Sequence, residues 1–311
     1  MSNVFRSTVK FKALKGFYRV EDRCARLMSK YPLDTRKDSF PFLSSDTYYF
    51  LADLRIENLF DISSLKHTNE NSTIYLNGNS INVIFSSLIE ELQSRNIRFQ
   101  KLIIGHSDFS PSLSQIDDLS KYFLSIYSVN LKETPRDNVY NLPLGLESQR
   151  YRSAGQLRDF RGLPTFDPEK RNIQILVAWN DKTFEEERVS ARKTLAGSAL
   201  VTQIEERVPA RLVHKMMRSA KLIPSPRGNG LDTHRFWESL YLGALPIVLC
   251  KNELRNMNHW PYVCVESWEE LASWNKFYIT EVYVSKVEEL RKFRETAAKY
   301  LKHLQASELE L

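Results

Sequence analysis

The sequence is short of glycine, of cysteine and of long apolar runs. Ten glycines and three cysteines are spread over 311 residues. Cys24, Cys250 and Cys264 are odd in number and lack any C-x-x-C spacing. That argues against a disulfide framework and a zinc site and leaves three expected buried thiols. The longest uncharged apolar stretch, residues 239–250, has 12 residues and contains Pro246, whereas a membrane helix needs about 20. No transmembrane segment is expected. Arg6, Lys10, Lys12 and Lys15 are not followed by the continuous apolar core of a signal peptide, so a cytoplasmic protein is expected.

What is present is ordinary globular material: 42% hydrophobic, 26% charged and 12% aromatic residues. The net charge of +6 invites a nucleic-acid-binding reading. The basic residues are interleaved with acids, however, as in Glu185-Glu186-Glu187-Arg188 and around Glu288, Glu289, Arg291 and Lys292, which is how solvated helix faces look. The length suits two domains of about 150 residues each.

Short apolar runs alternate with helical patterns. In the first half the expected elements are a helix over 47–56, a strand over 72–76, a helix over 83–92, a strand over 101–104, a helix over 119–123 and a strand over 124–127. Residues 148–171 are polar and rich in arginine, with Gly155, Gly162, Pro164 and Pro168, and read as a connection. The second half reads as strand 173–178, helix 184–195, strand 199–203, helix 209–220, strand 221–224, helix 233–242 and strand 246–249. A final helix spans 284–304. This alternation predicts an α/β fold with two parallel sheets covered by helices. The expected division is a first domain 1–150, a linker 151–171, a second domain 172–283 and a C-terminal helix, 284–311, packing across both.

Although glycine is scarce, Gly228, Gly230 and Gly243 lie close together. The stretch from Ser225 to Glu238 leaves a strand, crosses a tight loop and enters a helix. Free N–H groups and the positive dipole end at such a start suit a phosphate, and two glycines let it come close. Arg227 and Arg235 would add bidentate donors. Glu238 lies on the same helix face as Arg235, where a carboxylate can accept hydrogen bonds from ribose hydroxyls. Asn229 lies within the loop, Asp232 and Thr233 are natural N-cap residues, and His234 either caps the helix or contacts a phosphate. Arg188 follows the first strand of the second half and would line the same cleft.

The run S-P-R-G-N-G-L-D-T-H-R-F-W-E-S-L-Y-L-G-A-L-P-I-V-L, from Ser225 to Leu249, closely resembles the donor-site signature of exostosin-like glycosyltransferases, including their short bacterial, algal and viral relatives. Ser44 to Thr47, Ile104 to Asp108, Tyr127 to Asn130 and Leu142 to Glu147 are also similar to that group. The resemblance implies a GT-B fold, two Rossmann-like β/α/β domains facing across a cleft. It also implies inverting transfer from a nucleotide sugar, with UDP-sugars of xylose, glucuronate or an N-acetylhexosamine all fitting, to a glycan acceptor, with no cofactor and no obligatory metal. Consistently, no D-x-D triplet occurs, the usual cation holder on a diphosphate in metal-dependent transferases.

Inverting transfer needs a base for the acceptor hydroxyl, lying across the cleft from the leaving diphosphate. Asp108, His106 and Asp46 are the candidates, and Asp108 is preferred because Gly105 ends its strand and lets the chain turn. Glu147 sits at the hinge. Arg150, Arg152, Arg158 and Arg161 read as solvated linker. The alternatives are a nucleic-acid-binding protein, which salt-dependent retention on DNA would reveal, and a catalytically inactive nucleotide-sugar-binding scaffold.

Overall fold

The structure, a computed structural model, describes residues 19–20, 23–24, 36–132, 137–151, 156–205, 208–252 and 259–306. Arg6, Lys10, Lys12, Lys15, Arg152 and Gly155 lie outside the described residues. The fold is α/β, with two parallel five-stranded sheets. The first contains β1 (Leu54–Ile56), β2 (Thr73–Asn77), β3 (Phe99–Gly105), β4 (Phe123–Ser128) and β5 (Val139–Asn141), side by side in chain order. The second contains β6 (Ile173–Val177), β7 (Val201–Gln203), β8 (Ala220–Pro224), β9 (Leu245–Leu249) and β10 (Val263–Val265), in the order β10-β9-β8-β6-β7.

Strand periodicity divides the first sheet's side chains between two cores. Ile74, Leu76, Leu102, Ile104 and Ile126 pack with Ile84, Leu88 and Leu92 of the helix Ile81–Arg95. Their alternates Tyr75, Ile103 and Tyr127 join Leu43 and Tyr48 in a larger core that continues through Trp237, Tyr241 and the second sheet. The helix Val287–Gln305 serves both halves. Phe293 lies edge-on to Tyr241 with ring centroids 4.8 Å apart, and the buried Lys101 ammonium of β3 donates to the carbonyls of Leu304 and Ala306.

Three local expectations are corrected. The first helix is Ser45–Leu51, not 47–56, because the chain extends at Ala52 and Asp53 exchanges hydrogen bonds with Thr73, placing Leu54–Ile56 as edge strand β1. The expected helix 119–123 lies earlier, at Leu113–Leu119, started by a capping box between Ser112 and Gln115. Phe123 already belongs to β4. The cysteines are not three buried thiols. Parallel pairing of β9 with β10 sets Cys264 opposite Val248 and brings Cys250 and Cys264 to a Cα separation of 4.9 Å, joined as a disulfide, while Cys24 is exposed.

Where it is described, the connecting segment keeps Arg158 and Arg161 exposed, as expected of a solvated linker, but is anchored at a few buried points. Phe160 and Arg171 are buried, and Arg171 donates to the carbonyls of Thr165, Ala220 and Leu242. Arg150 pairs with Glu57, which also holds Arg36. Among the described residues, no helix is long and apolar enough to cross a membrane.

Candidate functional site

In the second sheet β7 and β8 lie on opposite sides of β6, so the loops leaving β6 and β8 part company at a topological switch point. The carboxyl ends of strands flanking such a reversal form the crevice where open α/β sheets bind ligands. Here the two loops are residues 178–184 and 225–233. Arg188, buried on the helix Glu185–Ala196, ties them together. Its guanidinium donates to the carbonyls of Arg227 at 2.9 Å, Asn180 at 2.8 Å and Pro226 at 3.3 Å, and to the hydroxyl of Thr183. Burial pulls its pKa down to about 10, which leaves it a cation at neutral pH. Arg188 thus shapes the loop from below.

The glycine loop is moulded on the first half. A Cβ on Gly230 would stand 2.5 Å from the Asn130 amide, so only glycine admits that approach. Asn130, in the left-handed region at φ 57° after β4, accepts the Asp232 N–H at 2.8 Å and donates to the Ser107 carbonyl at 2.6 Å. Asp232 is fully enclosed. Its carboxylate accepts from the Leu144 N–H at 2.8 Å, the Thr233 N–H at 2.7 Å and the Trp237 indole at 2.9 Å. Burial outweighs these donors and raises its pKa to about 6. Asn229 reaches across the cleft and donates to Asp108 at 3.2 Å.

The helix His234–Tyr241 begins without a side-chain cap, although Thr233 occupies the N-cap position. Buried Thr233 Oγ1 has no hydrogen-bond partner among the described residues. One turn on, Arg235 pairs with Glu238 at 2.8 Å, and Glu238 stands 3.6 Å from His214 Nε2, whose Nδ1 lies 3.0 Å from Asp159. Burial works to raise Glu238, but Arg235 and His214 prevail and hold it at about 2. Its carboxylate is therefore engaged in orienting Arg235. Arg227 hydrogen-bonds its own loop through the carbonyls of Gly228 and Asn229 and lies over the Phe184 ring at 4.2 Å. Phe184 itself takes a left-handed φ of 53°, a conformation bulky residues rarely adopt. Beside this pair, at the carboxyl ends of β9 and β10, opens a cavity of about 470 Å³ lined in part by Phe184, Arg227, Leu249 and Trp268.

The three acceptor-side candidates differ in setting. Asp46 is enclosed in the first turn of its helix, where its oxygens accept from the Ser148 hydroxyl at 2.6 Å and the Gln149 N–H at 2.7 Å; Ser44, not Asp46, caps that helix. His106 follows β3 at φ 52°, with Nε2 3.3 Å from the Tyr151 hydroxyl. Burial pushes its imidazole pKa down. Asp108 is exposed at the mouth of the cleft, facing the glycine loop. Glu147 stands 3.3 Å from His234.

Sequence reasoning had singled out neither Asn130 as a site residue nor the His214–Asp159 pair. Asn130 carried a signal in its place after an apolar strand. His214 and Asp159, 55 residues apart, carried none. Among the described residues no group of three His, Cys, Asp or Glu side chains is placed to hold a metal ion.

No family model matches the chain, and no curated protein matches it in sequence. Among solved structures, a chain of one titled "Crystal structure of GtfA/B complex" is similar at 10% identity and a TM-score of 0.35, over 85% of this chain and 57% of that one. This chain thus spans little more than half the length of that neighbour, and at such a TM-score the likeness carries no argument about activity.

Proposed function

We propose that the protein is an inverting glycosyltransferase of the GT-B, exostosin-like type, which moves a sugar from a UDP-sugar to a glycan acceptor. The observation that carries this reading is the uncapped start of the His234–Tyr241 helix at the switch point. There the orphan Thr233 hydroxyl, free helix N–H groups and Arg235 offer donors and positive charge to a diphosphate. Arg227 adds a second cation from the glycine loop. The cavity behind Arg227 would take the nucleoside, and the first half would present the acceptor. In this reading Arg227, Arg235 and the helix end meet the charge of the leaving diphosphate without an obligatory metal.

Asp108 serves as the base in this reading. It faces Asn229 of the donor loop across the cleft, and unlike Asp46 it is open to solvent. UDP-xylose, UDP-glucuronate and UDP-N-acetylhexosamines are the donors to screen, by thermal stabilisation and by sugar release, with and without EDTA. At least one should raise the melting temperature, and EDTA should leave turnover in place. Asp108→Asn should lower kcat by about a hundredfold to ten-thousandfold while donor binding persists. If no nucleotide sugar stabilises the protein, the reading fails. If Asp108→Asn turns over normally, the base lies elsewhere.

A further inference from the structure

Glu147 and His234 come from opposite halves and meet at their seam. His234 Nδ1 lies 2.8 Å from the Gly145 carbonyl oxygen. A carbonyl only accepts, so Nδ1 must carry a proton and donate it. Nε2 then faces the Glu147 carboxylate at 3.3 Å. In the neutral ring that Nε2 would present a lone pair to an anion, a repulsive arrangement. A second proton converts it into a charge-assisted contact. The local geometry therefore asks for an imidazolium. It does so at the first residue of a helix, where the dipole disfavours a cation, so the carboxylate must outweigh that term.

We propose that Glu147 holds His234 as an imidazolium, and that this cation faces the diphosphate of the bound nucleotide sugar and balances the charge that grows on it as the sugar departs. The proposal rests on the nucleotide-sugar reading above and adds a positioning residue from the first half, Glu147, to the donor site of the second. No bond to the protein forms or breaks in this step, and His234 keeps its proton throughout.

The charged groups around the ring agree with this assignment. Burial opposes the cation, but Glu147 from the first half, the Gly145 carbonyl, and Glu238 and Asp232 from the second together raise the His234 pKa. His106, the other histidine at the seam, is moved the opposite way, mainly by burial and in part by His234 itself. Two neighbouring imidazoles are thus moved in opposite directions, His234 toward and His106 away from the protonated form. The neighbouring Thr233 hydroxyl, buried and unpartnered among the described residues, marks the same spot as one that expects an acceptor.

The test uses protein labelled with [13Cε1]-histidine and UDP-glucose, whose diphosphate does not titrate between pH 6 and pH 9. His234→Gln assigns the resonance. In the wild type His234 should titrate above the ordinary value of about 6.5, and Glu147→Gln should move that midpoint down. Calorimetric affinity for UDP-glucose should be highest below the midpoint and fall about tenfold as pH rises through it. In Glu147→Gln the fall should begin at lower pH, and in His234→Gln the affinity should be low and flat. A merely structural Glu147 would lower the melting temperature without moving either midpoint, and that outcome overturns the proposal. So does a His234 midpoint at or below the ordinary value. If the wild type binds neither UDP-glucose nor any of the three screened kinds of UDP-sugar at any pH, the nucleotide-sugar reading falls and the role of His234 in it falls too, while the titration shift with Glu147→Gln still shows whether the pair exists.

Discussion

The two sheets have the same number of strands and the same parallel sense, yet only one of them reverses its strand order. In the first, β1 to β5 follow one another in space as in sequence. Every crossover steps the same way, the helices within the crossovers pack on one face, and no pair of loops diverges. In the second, the chain leaves β6 toward β7, then returns past β6 to β8. The loops after β6 and β8 part, and the crevice between them is a consequence of that return. The difference assigns the halves unequal work: the second builds the pocket, and the first supplies a wall, through Asn130, Leu144, Gly145, Glu147 and Asp108, that the glycine loop presses against.

The sharpest way to break this comparison is to cut the tie that shapes the crevice. Arg188→Ala removes a buried guanidinium and leaves the carbonyls of Asn180, Pro226 and Arg227 without that donor. Each unmade hydrogen bond at a buried site costs about 1–3 kcal/mol. UDP-glucose affinity should drop by about a hundredfold, with a clear loss of stability, and Arg188→Lys should recover only part of both. The counterpart in the first sheet is Lys101→Met, which frees the carbonyls of Leu304 and Ala306. It should cost stability alone. Isothermal calorimetry on both variants decides the matter; equal loss of affinity in the two would show that the halves do not divide the work in this way.

An intermediate effect is expected from the ion pairs. Glu238 is buried beside Arg235 and His214, which hold it at about 2. A carboxyl with a depressed folded-state pKa contributes stability above its unfolded value, here about 4.5, and loses it as pH falls through the folded value. The stability gap between wild type and Glu238→Gln should therefore be widest above pH 4.5 and narrow toward pH 2, by on the order of 2–3 kcal/mol. Glu57 in the first half is also lowered; burial opposes the shift, and Arg36 and Arg150 overcome it. It is more open to solvent, so Glu57→Gln should give the same sign with a smaller amplitude. Urea titrations of both variants at stepped pH measure the two gaps. A gap for Glu238→Gln that stays constant with pH would show that its carboxyl is not held down.

Much of this second half was legible because its strands are mostly apolar runs such as Ile173–Val177, broken only by Gln174, and Leu245–Leu249, buried on both faces, and its helices are punctuated by Gly and Pro. The glycine loop was legible for a different reason: its parts are consecutive, so one stretch of sequence holds the glycines, both arginines and the helix start. The edge strands Leu54–Ile56, Val139–Asn141 and Val263–Val265 were not legible, since three residues carry no periodicity, whereas the equally short β7 was caught because it lies within the longer expected run 199–203. Nor were the contacts that close the site. Asn130 finds Asp232 across 102 residues and His214 finds Asp159 across 55, and only the packing of the first half and of the connecting segment against the second half brings them together. The Cys250–Cys264 link escaped because it depends on which strand lies beside β9, a fact of sheet order and not of cysteine spacing.

The smallest expected effect compares two helix starts. Ser44 and Thr233 both occupy N-cap positions, one in each half, and both are buried. Ser44 Oγ accepts the Thr47 N–H at 3.1 Å, so it satisfies one of the donors that a helix start leaves open. Thr233 Oγ1 accepts nothing and donates nothing among the described residues. A hydroxyl buried without a partner is a burden on the fold, and replacing it by a methyl group of the same shape is neutral or stabilising. Thr233→Val should thus leave the melting temperature unchanged or slightly higher and weaken UDP-glucose binding by about threefold to tenfold, the loss of one hydrogen bond of about 1 kcal/mol. Ser44→Ala should do the reverse, lowering stability by about 1 kcal/mol while leaving affinity untouched. Together, thermal melts and calorimetry on the pair separate a hydroxyl that serves the fold from one that serves a ligand. If Thr233→Val melts lower and binds UDP-glucose as the wild type does, the open end of the His234–Tyr241 helix is not where the diphosphate sits.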